Sequence, residues 1–411
     1  MRILIIGSGG REHALCWKLA RSTGVELYAA PGNPGMAAVA TCVPVVAGSS
    51  YLEIAEAVRA DLTVVGPEAP LVAGVVDEFR ARGRLIVGPD RKAAQLEGSK
   101  VFAKNFFTQR SIPTAEYATV ENTTDARRAL ERFGYPVALK ADGLAAGKGV
   151  IIANDRGEAE AALACLKGRL VIEEFLRGAE VSFIALCDGR DVVPLAATQD
   201  HKAVLDGDHG PNTGGMGAYC DGGILTDAET KEILDRVIYP TVEEMRFTGF
   251  LYAGLMMTAA GPRVLEFNVR LGDPETQPLM HRMASDFAPA LMAAAQGRLN
   301  GTKLEWRPEP SVCVVMTSAG YPGPSEAGKA IAGIHAAEAT GATVFQAGTR
   351  LNAGRLETAG GRVLGVTASG ADLRTAIDSA YEGVKKIEFE GMHYRTDIGR
   401  KGIMRAGGGQ A

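Results

Sequence analysis

The spacing of apolar and polar positions changes character along the chain. Over residues 1–100, short apolar runs (Ile3 to Ile6, Leu62 to Val65, Leu85 to Val87) alternate with stretches of helical periodicity. This is the pattern of a parallel α/β sheet with right-handed crossovers. Ser50 and Glu53 have capping-box spacing, and the helix that follows from about Tyr51 turns Ile54, Ala55 and Val58 inward. The stretch after Pro70 does the same with Val72, Val75, Val76 and Phe79 and is expected to run as one helix to Gly83. Beyond Ser99 a helix (Val101 to Gln109) precedes Pro113 and strand-like segments at Val137 to Ala141, Val150 to Ala153, Leu170 to Glu174 and Val181 to Cys187, a second, α+β unit. Thr226 and Glu229 open a long helix that must bend or break at Pro240. Gly249 to Met257 and Arg263 to Arg270 flank the turn Gly261-Pro262 and read as an antiparallel hairpin. From about Ser311 the chain again reads as strand-rich, and residues 406–411 are expected to be a frayed tail.

A chain of 411 residues exceeds one hydrophobic core, so several packed units are expected. With 46% hydrophobic and 22% charged residues it has the makings of a globular protein rather than a disordered one. The net charge is -4 and Lys and Arg are scattered, which argues against a nucleic-acid backbone as main partner. The six cysteines show neither C-x-x-C nor zinc spacing and read as reduced, mostly buried thiols, which suits the cytoplasm. No apolar run approaches the roughly 18 residues needed to span a bilayer, and Met1-Arg2 leads into a strand rather than a signal peptide, so no membrane role is expected.

Several constellations carry chemistry. The strand-to-helix turn Gly7-Ser8-Gly9-Gly10-Arg11 can bring backbone N–H groups and a bidentate guanidinium to an anion. A dinucleotide site is disfavoured, because Glu12 replaces the third glycine of G-x-G-x-x-G and no acid ends the next strand; a mononucleotide phosphate, or a turn with no ligand, remains. Gly66-Pro67-Glu68 follows another strand of the same sheet, where Glu68 can hold a sugar hydroxyl or cap a helix. The glycine-rich loop from Lys140 to Gly149 lacks the Walker ending and precedes a strand, so it reads either as a flexible cover for a triphosphate, with Lys104 and Lys140 as point charges, or as a plain hairpin. Val171 to Leu176, followed by Glu180, can offer backbone to a base edge, although edge-strand solubility explains adjacent glutamates as well. Along Glu266-Phe267-Asn268-Val269-Arg270, strand alternation places Glu266, Asn268 and Arg270 on one face: two hard oxygen ligands and a guanidinium, or simply a polar outer face.

Taken in order, GSGGREHAL (7–15), GPEAPLVAGVVD (66–77), QLEGSK (95–100), KADGLAAGKGV (140–150), GPNTGGMGAY (210–219) and EFNVRLGDPETQP (266–278) resemble the ATP-grasp superfamily and, within it, the phosphoribosylamine:glycine ligases. The resemblance runs to about Gly399. It implies an α/β and α+β multidomain fold: an N-terminal parallel, Rossmann-like α/β domain over 1–100, an ATP-grasp domain over 101–301 with a mobile lid at about 113–180, and a small strand-rich α+β C-terminal domain over 302–411.

It further implies that Lys104, Lys140 and Lys148 meet the phosphates of ATP, that Glu173, Glu174, Phe175 and Leu176 receive adenine, and that Glu180 takes the ribose. Glu266 and Asn268 would bind Mg2+ or Mn2+. Gly9, Gly10, Arg11 and Glu12, with Gly66, Pro67 and Glu68, would hold 5-phosphoribosylamine. Asn212, Thr213, Gly214, Gly215, Met216, Arg270, Asp273 and Glu275 would line the reacting centre, with Lys140 and Arg270 as catalytic cations. The implied reaction joins glycine to 5-phosphoribosylamine through glycyl phosphate, by a cytoplasmic monomer without nucleic-acid or membrane partners. A related carboxylase or a nucleotide-sensing module would share the nucleotide half alone. Three departures stand out: the stretch from Glu158 to Arg169 is short, Ala203 follows His201-Lys202 where relatives often have a basic residue, and Gly249 to Met257 offers no acidic metal ligand.

Overall fold

The computed structural model describes residues 1–144 and 149–406. The N-terminal region is a five-stranded parallel sheet in the order Thr41–Cys42, Glu26–Pro31, Arg2–Gly7, Leu62–Val65, Ile86–Val87. Ile3, Leu4, Ile5 and Ile6 are all fully buried because helices cover both faces. Ile3 and Ile5 face one core with Leu15 and Leu19, while Leu4 and Ile6 face another with Ile54 and Val76. A central strand buried on both sides shows an unbroken apolar run rather than alternation. The Ser50/Glu53 capping box forms and starts Tyr51–Ala57. The single helix expected after Pro70 is instead two, Glu68–Ala73 and Val75–Ala81, because Gly74 adopts φ +96 between them. A left-handed residue ends one helix and redirects the next.

The lid region is a four-stranded antiparallel sheet ordered Tyr117–Val120, Leu170–Glu174, Val137–Ala141, Val150–Ala153. Helices Thr123–Phe133 and Arg156–Cys165 pack on it around a separate core that includes Leu130, Leu139 and Ile172. A second antiparallel sheet runs Val192–Pro194, Ala179–Asp188, Thr248–Thr258, Gly261–Asn268, and its last two strands are the hairpin legible in the sequence. The helix opened by Thr226 and Glu229 does not simply bend at Pro240. It widens into a π turn over Leu234–Ile238 and resumes as Tyr239–Met245, which relieves the clash between the proline ring and the preceding turn.

A third sheet joins residues from both sides of the expected boundary near 302: Gln199–Asp200, Gly217–Cys220, Ser311–Thr317, Arg362–Ser369, Thr343–Gln346. All six cysteines are free; Cys16, Cys187, Cys220 and Cys313 are buried and Cys165 is exposed. Among the described residues, no helix is long and apolar enough to cross a membrane.

Candidate active site

Where these units meet lies a cavity of about 530 Å³. Its floor is the strand Gly261–Asn268, where Glu266 and Asn268 bring polar groups to the cavity and Leu265 and Phe267 also border it, Phe267 being otherwise buried at 2%. Its roof is the lid, through Lys140, Gly143, Leu144 and Glu173 to Leu176. Arg11, Pro67 and Glu68 enter from the parallel sheet, and Arg362 reaches in from the C-terminal region. Asn212, Thr213, Gly214, Asp273 and Glu275 complete the wall.

At the roof, Glu173 sits almost dry between two lysines: Lys104 Nζ is 3.1 Å from one carboxylate oxygen and Lys140 Nζ 3.0 Å from the other. Lys140 also donates to Leu265 O at 3.0 Å, which ties the lid to the hairpin. Burial pushes the Lys104 ammonium down to about 8, against the opposing pull of Glu173. The base of the glycine-rich loop is pinned: Asp142 accepts from Ser99 and Arg169, and Lys100 donates to Gly143 O. Residues 145–148, and with them Lys148, lie outside the described residues, as does the closing motion expected of this loop.

Arg270 is gripped from two directions, with Glu97 at 2.9 Å and Glu68 at 3.3 Å, and these carboxylates raise its pKa despite burial. Lys202 stands between Glu180 at 3.4 Å and Glu266 at 3.8 Å. Burial opposes ionisation of Glu266, but Lys202, Lys140 and Lys100 outweigh it and hold the carboxyl below its usual range. Arg362 donates to Gly214 O at 2.6 Å and Asp273 O at 2.5 Å, and lies 3.3 Å from the Asp273 carboxylate.

Glu266 and Asn268 present two hard oxygens on one strand face, and Asn268 Oδ1 accepts from Arg270 at 3.2 Å. The described residues contain no cluster of three or more His, Cys, Asp or Glu able to hold a metal. The donor set therefore fits a cation that draws its remaining ligands from phosphate and water, as Mg2+ does.

Other expected contacts fall behind the wall. Glu12 is buried at 1%, and its carboxylate accepts from Gly9 N and from Arg11, each at 2.6 Å. It thereby occupies the helix N-terminus that an anion was expected to take. A Cβ at Gly66 would lie 2.0 Å from this carboxylate, so Gly66 is glycine to make room for Glu12. Arg11 donates onward to Leu271 O at 3.1 Å. Met216 is fully buried, and Gly215, at φ +116, packs on Pro274; neither, with Gly9, Gly10 and Glu12, forms part of the wall. Conversely, Glu97, Lys100, Asp200, Lys202, Tyr252 and Arg362 line the cavity without having been singled out. Glu97 and Lys100 lie within the QLEGSK motif, whereas Arg362 has no local signal at all.

A lid sheet and a hairpin closing on a cavity set with lysines and two oxygen ligands are the architecture of the ATP-grasp proteins. Family models agree region by region: the phosphoribosylglycinamide synthetase N domain matches residues 1–97, its ATP-grasp (A) domain 98–276 and its C domain 311–401. The chain belongs to the phosphoribosylglycinamide synthetase family. A phosphoribosylamine–glycine ligase from Ralstonia nicotianae is 48% identical over 98% of this chain and 100% of its own length. The crystal structure of the Thermotoga maritima phosphoribosylamine–glycine ligase superposes with a TM-score of 0.83 at 35% identity, covering 97% of this chain and 100% of that one. The biotin carboxylase domain of a Hydrogenobacter thermophilus 2-oxoglutarate carboxylase, solved with MgADP and bicarbonate, shares the fold alone: TM-score 0.72 and 15% identity over 95% and 91% of the two chains.

Proposed function

We propose that this chain ligates glycine to 5-phosphoribosylamine with ATP, giving glycinamide ribonucleotide, ADP and phosphate through glycyl phosphate in purine biosynthesis. The observation that carries the reading is one cavity receiving Arg11 from the parallel sheet, Lys140 from the lid and Glu266 with Asn268 from the hairpin. Adenine lies along Glu173 to Leu176, with the ribose at Glu180. The phosphates extend past Lys104, Lys140 and Lys148, and Arg11, Pro67, Glu68, Asn212 and Asp273 face the phosphoribosyl group. Glu266 and Asn268 would hold Mg2+ or Mn2+, which when bound offsets phosphate charge.

The glycine carboxylate attacks the γ-phosphorus in line as ADP leaves; the amine then attacks the carbonyl carbon, and phosphate departs with loss of the amine proton. Neither step calls for a covalent enzyme intermediate, so the protein contributes orientation and charge. Excluding water protects the acyl phosphate, a reason for the lid. The units 1–100, 101–301 and 302–411 divide the work between phosphoribosylamine, nucleotide and closure of the shared wall. The protein works as a cytoplasmic monomer on small molecules.

ADP release measured with glycine and freshly generated phosphoribosylamine, singly and together, tests this. Release should require both substrates and the metal, and equal turnover with bicarbonate in place of glycine refutes it.

A further inference from the structure

Resting on the reading of Lys104 as a contact of the nucleotide phosphates, we propose that Thr114 is the positioning residue for that lysine, aiming its ammonium through a hydroxyl that lies outside the cavity wall. Lys104 belongs to the helix Lys100–Gln109 and helps form the wall, whereas Thr114 does not. Thr114 sits in the connection between this helix and the first lid strand, Tyr117–Val120. That connection is fixed on the hairpin strand Gly261–Asn268. Val264 N donates to Pro113 O at 2.7 Å, Arg263 Nη1 to Thr114 O at 2.9 Å, and the Thr114 hydroxyl to Val264 O at 2.7 Å. A hydroxyl has one proton and a carbonyl oxygen can only accept, so the direction of the last bond is settled. The lone pairs of Thr114 Oγ1 are left for another donor, and Lys104 Nζ lies 2.6 Å away.

Lys104 is 2% exposed, so its protein neighbours decide where its N–H groups point. Of the three donors on an ammonium, one meets Thr114 Oγ1 and one faces Glu173 at 3.1 Å. The rings of Tyr117 and Phe107, with centroids at 5.4 and 6.0 Å, offer the charge a polarised face but no lone pair in line. Among the described residues the third donor has no acceptor, which leaves it for a ligand oxygen in the cavity.

The same strand locates the second lysine. Lys140 Nζ donates to Leu265 O, the carbonyl next along from Val264 O, and Glu173 lies against both ammonium groups. Glu173 supplies counter-charge to the two lysines but leaves each free to pivot about one of its oxygens. A second acceptor on each, Thr114 Oγ1 for Lys104 and Leu265 O for Lys140, fixes the orientation. Lys140 is thus referred to the strand directly and Lys104 through Thr114. Glu266, a metal ligand on the proposed reading, follows Leu265 on that strand, so one backbone segment sets the register of both lysines and the metal.

The test measures steady-state ADP release, with each substrate varied in turn, for wild type, Thr114→Val, Thr114→Ser, Lys104→Met and the double variant Thr114→Val with Lys104→Met. Valine keeps nearly the shape of threonine and removes the hydroxyl, leaving a buried N–H donor unpaired. The KM for ATP should rise about 10-fold or more in Thr114→Val, while those for glycine and phosphoribosylamine stay within about two-fold. Thr114→Ser keeps the hydroxyl and should hold the KM for ATP within about three-fold of wild type. In the Lys104→Met background Thr114→Val should add less than about two-fold, because the group it positions is gone. An unchanged KM for ATP in Thr114→Val, a serine variant as weak as the valine one, or full multiplication of the two effects in the double variant overturns the assignment. The last of these would make Thr114 a support of the lid connection alone. Should Thr114→Val fail to fold, Thr114→Ala enters the same cycle with the same expectations. Lys104→Met with a wild-type KM for ATP defeats the parent reading of Lys104 instead, a result distinct from a weakened Lys104→Met beside an indifferent Thr114→Val.

Discussion

Glu173→Gln removes the carboxylate that lies between Lys104 and Lys140, all three side chains being less than a tenth exposed. Each ammonium is about 3 Å from an oxygen, a separation worth about 5 kcal/mol at an effective dielectric near 20. Most of that offsets desolvation, and breaking one member of a buried ion group typically destabilises by about 3–5 kcal/mol. A neutral hydrogen bond contributes about 1 kcal/mol, so the charge decides the outcome.

With Glu173 present the Lys104 pKa already lies at about 8, lowered by burial; removing the term that raises it drives the value further down. One buried lysine should then be neutral at pH 7, and the phosphates of ATP lose a charge-assisted partner. At about 1.5–3 kcal/mol that loss is roughly a 10- to 100-fold rise in the KM for ATP. The sign with pH follows. The lysine loses its charge as pH rises through its pKa, so wild type should weaken toward ATP above pH 8, and the variant should already be weak at 7 and recover in acid. In stability the fold disfavours this ammonium, and its penalty shrinks as pH rises from about 8 toward the ordinary 10.5. The assays are the KM for ATP from pH 6 to 9 and the urea midpoint. Adding Lys104→Met to Glu173→Gln should restore the midpoint but not ATP affinity. An unchanged midpoint together with an unchanged KM for ATP refutes Glu173 as the counter-ion.

Glu266→Gln should leave the urea midpoint near wild type, because the side chain is partly exposed, and cut turnover by about 10²- to 10³-fold; full activity at limiting magnesium rules out a ligand role. Arg11→Ala should raise the KM for phosphoribosylamine by about 10- to 100-fold and that for ATP little, and the reverse pattern would mean that the parallel sheet serves the nucleotide. Arg395 is fully buried against Asp208 and Asp397, so Arg395→Met should destabilise by about 3–5 kcal/mol in urea titration. Burial favours protonation of both carboxyls, but Lys401 and Arg395 at Asp208, and Arg395 and the Gly207 amide at Asp397, hold their pKa values below the ordinary one. Their contribution is complete above about pH 4 and lost as pH falls further, and the variant's acid profile should be flatter.

Much of this was legible where one local rule decided the outcome. Ile3 to Ile6 declared a strand covered on both faces, and the spacings at Ser50 and Thr226 declared their capping boxes. Alternation from Glu266 to Arg270 brought the polar groups of Glu266, Asn268 and Arg270 to the cavity and left Phe267 and Val269 buried, although Phe267 also borders the cavity. What failed was set by distant partners. Nothing near Gly74 marks it as a helix break, because Gly within a helical pattern is often tolerated; the Arg91 side chain that packs over it lies well along the chain. Gln199–Asp200 is too short for periodicity, and its orientation depends on pairing with Gly217–Cys220. Glu12 resembled a substrate contact because only the fold brings Gly66 against it.

The clamps around the cavity also indicate which wall is free to respond to a ligand. Arg270 binds the end of the hairpin to Glu68 and Glu97, and Arg362 binds the C-terminal sheet to Gly214 and Asp273. Both sides are therefore held by guanidinium groups whose partners are protein, and substrate need not supply their counter-charge. The lid differs. It has its own core, and one of its charged links to the hairpin runs through Lys140, one of the groups expected to meet phosphate. On the proposed reading, nucleotide phosphates would compete with Glu173 and Leu265 O for the same ammonium, while leaving Arg270 and Arg362 in place. On that reading, charge redistribution on binding would fall on the roof, while the walls clamped by Arg270 and Arg362 keep their geometry.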